Sequence, residues 1–512
     1  ECVYFRPGDE AGQDLPPYPG VPLGRGQGGP AAGYGIGGLL RRADRIKKKH
    51  RMALRSGNCH AVCFMLFGGS SVAEVKDGQQ AGTAVRADHN AERGDRDASD
   101  LGIGLFDLVP DELRVRAAVG VEVSGLNANR ARIGERKDEV LDTLRNGISG
   151  LLKKKRIDLL EGTATVIDEH LVNITNAQGG SAVVTAENIM IAAGSKPFMP
   201  PIPGADLPGV IDSTELIEMG GAKIPEFVII GGGVIGIEFA TIYADLGDHV
   251  TVIEGMDRLL PVIDKEIGRS IRMTLEKKGV TVHVSSPVKK IEQADGKLSV
   301  TLTNKKGEEI SVTADKVLMC VGRRPNTGGV FADELLEKYP ELEDSKGFIS
   351  VNDEYKTIMP GVYAIGDCIG GVQLAHVASA EGRNAVALIN GCQATINMGT
   401  VPSCIYTDPE IAVVGMTAEE AKEAGIEVIT RKYPMSANGK TIIAGLDRGF
   451  VKLVARADDH VIIGAHLLCG RASDLIGELS VAIGRGMMLE EIANIIHPHP
   501  SFAEAIMEAA RL

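Results

Sequence analysis

The stretch between Glu226 and Glu254 constrains this chain more than any other. After Glu226, the run Phe227-Val228-Ile229-Ile230 is continuously apolar, as in a strand covered on both faces of a parallel sheet. It runs straight into Gly231-Gly232-Gly233-Val234-Ile235-Gly236. Ile235, Phe239, Ile242 and Leu246 then recur at helical spacing, and Gly247 closes the helix. His249–Ile253 reads as a second strand, and it delivers Glu254. A strand, G-x-G-x-x-G, a helix, a strand and an acid, in that order, specify a dinucleotide-binding unit far better than the glycines alone. Gly231 permits the tight turn, Gly233 lets a pyrophosphate approach the backbone, and Gly236 lets helix and strand pack closely. The helix start, with Gly232, Val234 and Ile235 in its turn, offers N–H groups and a positive dipole end to phosphates. Glu254 would accept hydrogen bonds from ribose hydroxyls. A 2′-phosphate would meet like charge there and no Arg follows directly, so the expected ligand is NAD rather than NADP.

The rest of the chain has two textures. From about Val121 to Leu512, strand-like runs alternate with amphipathic stretches and glycine turns. Lys137 to Lys155 predicts one long helix with Val140, Leu144, Ile148, Leu151 and Leu152 on one face. Strands are expected around 158–160, 164–167, 170–174 and 188–192, and a strand and turn over Val121–Leu126. Before residue 118 neither period is sustained. Pro16-Pro17-Tyr18-Pro19-Gly20, the Gly-rich stretch 24–29 and the polar run from Arg86 to Asp100 read as loop or disorder.

A net charge of −13 argues against general affinity for nucleic acid or anionic membranes, both of which need a basic face. The basic run from Arg41 to Arg51 is the local exception and reads as a solvated segment. No apolar run is long enough for a membrane span, and no apolar h-region marks a signal peptide. Eight mostly isolated cysteines in 512 residues do not form a secreted disulfide framework, and no metal site is expected. The expected location is cytoplasmic.

Further motifs extend the pattern. Ile189-Met190-Ile191-Ala192-Ala193-Gly194-Ser195-Lys196-Pro197, Val321-Gly322-Arg323-Arg324-Pro325-Asn326-Thr327 and Val362-Tyr363-Ala364-Ile365-Gly366-Asp367 each join a strand to a glycine turn. Gln373-Leu374-Ala375-His376 leads into an Ala-rich helix. Tyr406-Thr407-Asp408-Pro409-Glu410 and His497-Pro498-His499-Pro500-Ser501-Phe502-Ala503-Glu504 bracket the last part of the chain. Together these segments resemble the pyridine nucleotide–disulfide oxidoreductases, and within them the lipoamide branch, over roughly residues 120–512.

That resemblance implies an α/β fold: two Rossmann-like dinucleotide-binding domains, for FAD and NAD, and a C-terminal α+β dimerisation domain. The boundaries it implies are 119–198 with 326–395 for FAD, 199–325 for NAD and 396–512 for the dimer interface. Residues 1–118 fall outside it. It implies oxidation of a protein-bound dihydrolipoyl dithiol by NAD through FAD and a redox-active disulfide. Asp367 would meet the ribityl chain of the flavin. Ala164, Ala193, Gly194, Ser195, Gln373, Leu374, Ala375 and His376 would also line FAD. Val288 and Gly322 would line the adenosine half of NAD. Glu238 would lie near the flavin–nicotinamide contact. A thiol needs a base near neutral pH, and an imidazole titrates there. His499 is therefore the candidate base, oriented by Glu504. In the family this pair serves the second subunit's site, so a homodimer is implied. The implied partners are lipoyl domains of 2-oxo acid dehydrogenase or glycine cleavage complexes. A related disulfide or mercuric reductase, or a non-catalytic NAD-binding scaffold, are the other readings.

The pattern breaks upstream. The family's first G-x-G-x-x-G and its C-x₄-C pair are missing. Gly33-Tyr34-Gly35-Ile36-Gly37-Gly38 follows no apolar strand, and Cys59 and Cys63 have three residues between them rather than four. A shifted reading frame before residue 118 would yield such aperiodic text. As written, the chain lacks half of the FAD cradle and the disulfide relay, and is expected to fold poorly or be inactive.

Overall fold

The computed structural model describes residues 127–446 and 449–512, together with the backbone of three earlier strands, Cys63–Phe67, Ser71–Val75 and Gly82–Arg86. The segments 33–38 and 121–126, and Cys59, lie outside the described residues.

Glu226–Ile230 sits at the centre of a five-stranded parallel sheet. His249–Ile253 and Lys316–Met319 flank it, Thr281–His283 lies beyond the first and Val210–Ile211 beyond the second. The continuous apolar run is explained by what covers each face. Phe227 and Ile229 pack with Ile237, Phe239, Ile242 and Tyr243 of the Val234–Asp245 helix. Val228 and Ile230 pack instead against Leu298, Val300 and Leu302. Those leucines and valine belong to a three-stranded antiparallel sheet, Val288–Ala294, Lys297–Thr303 and Glu309–Ala314. A polar side chain at any of these four positions would lack a hydrogen-bonding partner, which is costly in such an interior.

A second sheet has six strands. Asn188–Ala192 pairs in parallel with Val362–Ala364 on one side and Cys63–Phe67 on the other. Ser71–Val75 then runs antiparallel to Cys63–Phe67, and Gly82–Arg86 runs parallel to Ile157–Glu161 at the far edge. Loop was expected throughout this early region, so the three strands are a correction. The physical reason is that Cys63–Phe67 is five apolar residues, enough for one short strand, yet too short to show a period. A satellite antiparallel sheet, Thr163–Asp168, Leu171–Thr175 and Ser181–Thr185, adds Val166, Val172 and Ile174 to the same core.

The long helix runs from Arg130 to Lys154, and so begins a turn or two before the predicted start. Asn129 caps it, its Oδ1 accepting the Arg132 amide at 3.1 Å. The expected apolar face is only partly used: Leu144 is 54% exposed and Ile148 50%. The helix docks by its ends. Ile133 and Leu141 pack on the core of the parallel sheet, and Leu152 packs beside Met190 and Tyr363. The Arg130 guanidinium donates to Asp248 at 2.7 Å and to the Leu246 carbonyl at 2.8 Å.

The C-terminal part is a five-stranded antiparallel sheet in the order Ser403–Ile405, Glu410–Gly415, Ile462–Cys469, Phe450–Arg456, Val428–Pro434. The helices Ala472–Arg485 and Glu504–Arg511 bury Ile476, Leu479, Ile506 and Ala509 against it. Among the described residues no helix is long and apolar enough to cross a membrane.

A dinucleotide cradle and an exposed histidine–carboxylate pair

The glycines of the first motif divide by what surrounds them. Gly231 has φ +116°, and a Cβ there would overlap the Cys320 carbonyl. A Cβ on Gly236 would overlap the Gly231 carbonyl, so strand and helix touch backbone to backbone. Gly233 differs: a Cβ there would meet nothing within 4 Å. Gly233 also caps the Val234–Asp245 helix, and with no side chain it leaves the first-turn N–H groups uncapped by its own residue. That combination fits a pyrophosphate. Glu254 Oε2 accepts the Gly232 amide at 2.6 Å and its Oε1 accepts the Met256 amide at 2.7 Å. A carboxylate has about four lone-pair sites, so ribose hydroxyls can still be accepted. Val288 opens its strand half-buried, and Gly322 has φ +121° with open space around it.

Glu238 stands one turn into the same helix. Burial pushes its carboxyl up to about 8, and the Tyr406 amide, donating to Oε1 at 2.9 Å, pulls the other way. Cys320 lies close enough for Glu238 to raise its thiol further above a range already lifted by burial.

The second sheet converges on Ser195. Its hydroxyl donates to Asp367 Oδ2 at 2.5 Å, and Arg323 donates to the Ser195 Oγ at 2.6 Å and to its carbonyl at 2.8 Å. Arg323 was not singled out from the sequence. Its signal was the Gly-Arg-Arg-Pro run, which gave no reason to prefer one arginine over the other. Here Arg323 reaches Ser195 whereas Arg324 lies over the Phe198 ring at 3.9 Å. Gly194 takes φ +68°, and Ala164 and Ala193 are buried beside it in the same core. Glu381, also unflagged by the sequence, accepts the Gly366 amide at 2.6 Å. Leu374 caps the Ala375–Ile389 helix without a side-chain bond, Gln373 Nε2 is buried without a partner, and His376 Nε2 donates to the Pro402 carbonyl at 2.8 Å.

These residues fit one side of a flavin dinucleotide site. The other side does not follow the family plan. Phe67 and Ser71 leave only residues 68–70 between antiparallel strands, and a parallel return through a helix needs a dozen residues or more. No phosphate-facing helix can follow Cys63–Phe67 directly.

At the far end of the chain, His499 Nδ1 donates to Glu504 Oε1 at 2.8 Å, which leaves Nε2 as the basic nitrogen. The imidazole side chain is 78% exposed. Glu504 Oε2 accepts the Ser501 amide at 2.8 Å; that amide, and then His499, hold its carboxyl below the usual range. His497 is different: it is only 3% exposed and its Nε2 meets Glu478 at 2.9 Å. None of the hydrogen bonds among the described residues links His499 and Glu504 to Ser195, Asp367 or Glu238.

The five described cysteines, Cys320, Cys368, Cys392, Cys404 and Cys469, are all free. Burial pushes Cys368 and Cys469 up to about 12 and Cys404 to about 11, so none of these three is a ready thiolate.

A dinucleotide cradle on a parallel sheet, a second sheet converging on Ser195 and Asp367, and a C-terminal antiparallel domain ending in a His–Glu pair define a flavoprotein disulfide oxidoreductase. The family models agree in class but correct one boundary: the first begins at residue 84, inside the 1–118 segment expected to fall outside the family. Residues 84–382 match the pyridine nucleotide-disulphide oxidoreductase model and residues 401–510 its dimerisation domain. The chain belongs to that family. It is 38% identical over 402 residues to the dihydrolipoyl dehydrogenase of Geobacillus stearothermophilus, covering 77% of this chain and 82% of that one. It is 37% identical to the dihydrolipoyl dehydrogenase of Bacillus subtilis, with the same coverage. Among solved structures, the Cu(II) complex of a mutant of the HOCl-induced flavoprotein disulfide reductase RclA from Escherichia coli matches at TM-score 0.73 and 25% identity, over 89% of this chain and 99% of that one. LpdA from Mycobacterium tuberculosis matches at TM-score 0.72 and 26% identity, over 81% and 89%.

Proposed function

We propose that this chain is a dihydrolipoyl dehydrogenase, passing electrons from a protein-bound dihydrolipoyl dithiol to NAD by way of FAD and a disulfide. The observation that carries the reading is the His499–Glu504 pair: an exposed imidazole with Nδ1 tied to a carboxylate and Nε2 directed outward. Such a pair takes a proton from a substrate thiol and returns it in the reverse direction. A bound flavin would supply two-electron transfer between the dithiol and the nicotinamide. Gly231–Gly236 and Glu254 hold the NAD in this reading. Val288 and Gly322 line its adenosine half. Ala164, Ala193–Ser195, Asp367 and Gln373–His376 line the FAD. Lipoyl domains of 2-oxo acid dehydrogenase or glycine cleavage complexes are the partners proposed.

A second copy of the chain completes the proposed site. Ile495 is 44% exposed and Ile496 94%, just before His497. Exposed apolar side chains on this domain suit a homodimer interface that delivers His499 to the other subunit. None of the five described cysteines is paired, and the sequence holds three more upstream, Cys2, Cys59 and Cys63.

The test is His499→Gln. Dihydrolipoamide oxidation is expected to fall roughly 10²- to 10⁴-fold, with NADH affinity unchanged. Unchanged turnover removes His499 from the chemistry. If the unmutated chain turns over glutathione disulfide or mercuric ion but not dihydrolipoamide, the related-reductase reading replaces this one. Absence of flavin together with retained NADH binding supports the scaffold reading.

A further inference from the structure

Glu238 and Asp245 lie seven residues apart on one helix, close to two full turns, and so share a face. Tyr406 and Asp408 lie two residues apart in the segment that opens the C-terminal domain. The two elements meet at two points. At the first, the Tyr406 amide donates to Glu238. At the second, two carboxylates, Asp245 and Asp408, face each other and would repel. Lys278 stands between them. Its Nζ donates to Asp245 Oδ2 at 2.8 Å and to Asp408 Oδ2 at 2.6 Å. The side chain of Lys278 is 10% exposed, that of Asp245 14% and that of Asp408 29%, so water screens the group only in part.

We infer that Lys278 is a positioning residue: by bridging Asp245 and Asp408 it seats the Tyr406 amide on the Glu238 carboxyl. Three elements are fixed by one ammonium. Lys278 itself is the C-cap of the Lys265–Lys277 helix, where the dipole favours a cation. Burial works against the charge, but Asp408 and Asp245 outweigh it and raise the ammonium above its ordinary range. Thr407 adds local stiffness, its hydroxyl donating to the Pro409 carbonyl at 2.7 Å. Without the bridge the two carboxylates push the Tyr406-Thr407-Asp408 segment away from the helix. Glu238 then loses its amide donor, with the Cys320 thiol left as the ionisable side chain facing it.

The inference rests on the proposed function only for its catalytic consequence. Hydrogen–deuterium exchange at the Tyr406 amide, in the full chain, needs neither turnover nor cofactor, so the two ideas fail separately. Lys278→Met is expected to speed Tyr406 exchange by about tenfold, the worth of one hydrogen bond to a carboxyl group. Lys278→Arg is expected to keep the wild-type rate. Adding Asp408→Asn to Lys278→Met removes the repulsion and is expected to restore most of the protection, whereas lost packing alone would not be rescued. Amides of the neighbouring Glu410–Gly415 strand serve as the control and are expected to stay unchanged. Unchanged Tyr406 exchange in Lys278→Met, or accelerated exchange that Asp408→Asn does not rescue, overturns the inference. If Lys278→Met does not fold, Asp408→Lys reads the bridge from the other side, because it turns the attraction to Lys278 into repulsion. Faster Tyr406 exchange, by about threefold or more, supports the inference, and an unchanged rate overturns it.

Discussion

The two sheets that should each cradle a dinucleotide are built differently at the point that matters. In the sheet around Glu226–Ile230 the central strand turns through Gly231–Gly236 into a helix, and the chain returns in parallel at His249–Ile253. In the sheet around Asn188–Ala192 the corresponding central strand, Cys63–Phe67, turns instead into an antiparallel neighbour. Both strands are five apolar or nearly apolar residues, and both sit beside a parallel partner. The difference lies in how the chain leaves the strand. A helix N-terminus gathers several N–H groups and a dipole onto one point, and a direct passage between antiparallel strands has no room for one. Strand composition therefore says little about phosphate binding; the connection decides it.

The sharpest way to break this comparison is to damage the intact cradle. Gly236→Val places side-chain atoms where the Gly231 carbonyl lies, so the helix must leave the strand. NADH affinity is expected to fall more than about 100-fold by fluorescence titration, with several kcal/mol of lost stability. Gly233→Ala is the partner experiment, because its Cβ enters open space. The melting temperature should hold while NADH affinity drops. If both substitutions behave alike, the open space at Gly233 is not where phosphate goes.

The other sheet is tested at its better half. Asp367→Ala removes the acceptor of the Ser195 hydroxyl and leaves Ser195 with Arg323 alone. Flavin content after reconstitution is expected to fall roughly tenfold, the scale of one charge-assisted hydrogen bond. Equal flavin content in the variant would mean that the Ser195–Asp367 junction is structural only.

The last effect is one of slope. Glu238 is neutral in the folded chain up to about 8, while its ordinary value is 4.5. Between these limits the unfolded chain gives up the proton and the folded chain keeps it. Stability is therefore expected to fall as pH rises through that window, by up to about 1.4 kcal/mol per pH unit. Glu238→Gln should flatten this part of the profile. The Tyr406 amide donates to Glu238, and the Cys320 thiol, pushed up by burial and then by Asp212 and Glu238, stays neutral across the window. An unchanged slope in urea titrations at pH 5 and pH 8 would show that Glu238 is ionised in the folded state.

Much of the site was legible because it is local. The turn at Gly231, the helix after it and Glu254 all lie within one βαβ unit, and their spacing carries the meaning. The same holds for His499 and Glu504, five residues apart on one turn and helix start. The parts that were not legible are contacts between distant segments. Arg323 reaching Ser195, Glu381 receiving the Gly366 amide, and Lys278 joining Asp245 to Asp408 have no spacing signature, because each partner arrives from another element. Leu144 and Ile148 show the opposite error. Their helical period was real, but period alone does not say what covers a face.

The sequence by itself determined the parallel sheet around Phe227–Ile230 and the glycine turn after it, and its resemblance to the family singled out His499 with Glu504. Backbone geometry at glycine and apolar periodicity are set by neighbours in the chain. Only the tertiary structure showed how differently the two imidazoles sit, His499 exposed and His497 buried against Glu478. Only it put a lysine between two aspartates from different domains. Burial and charge pairing depend on which surfaces meet, and the order of residues along the chain does not encode that directly.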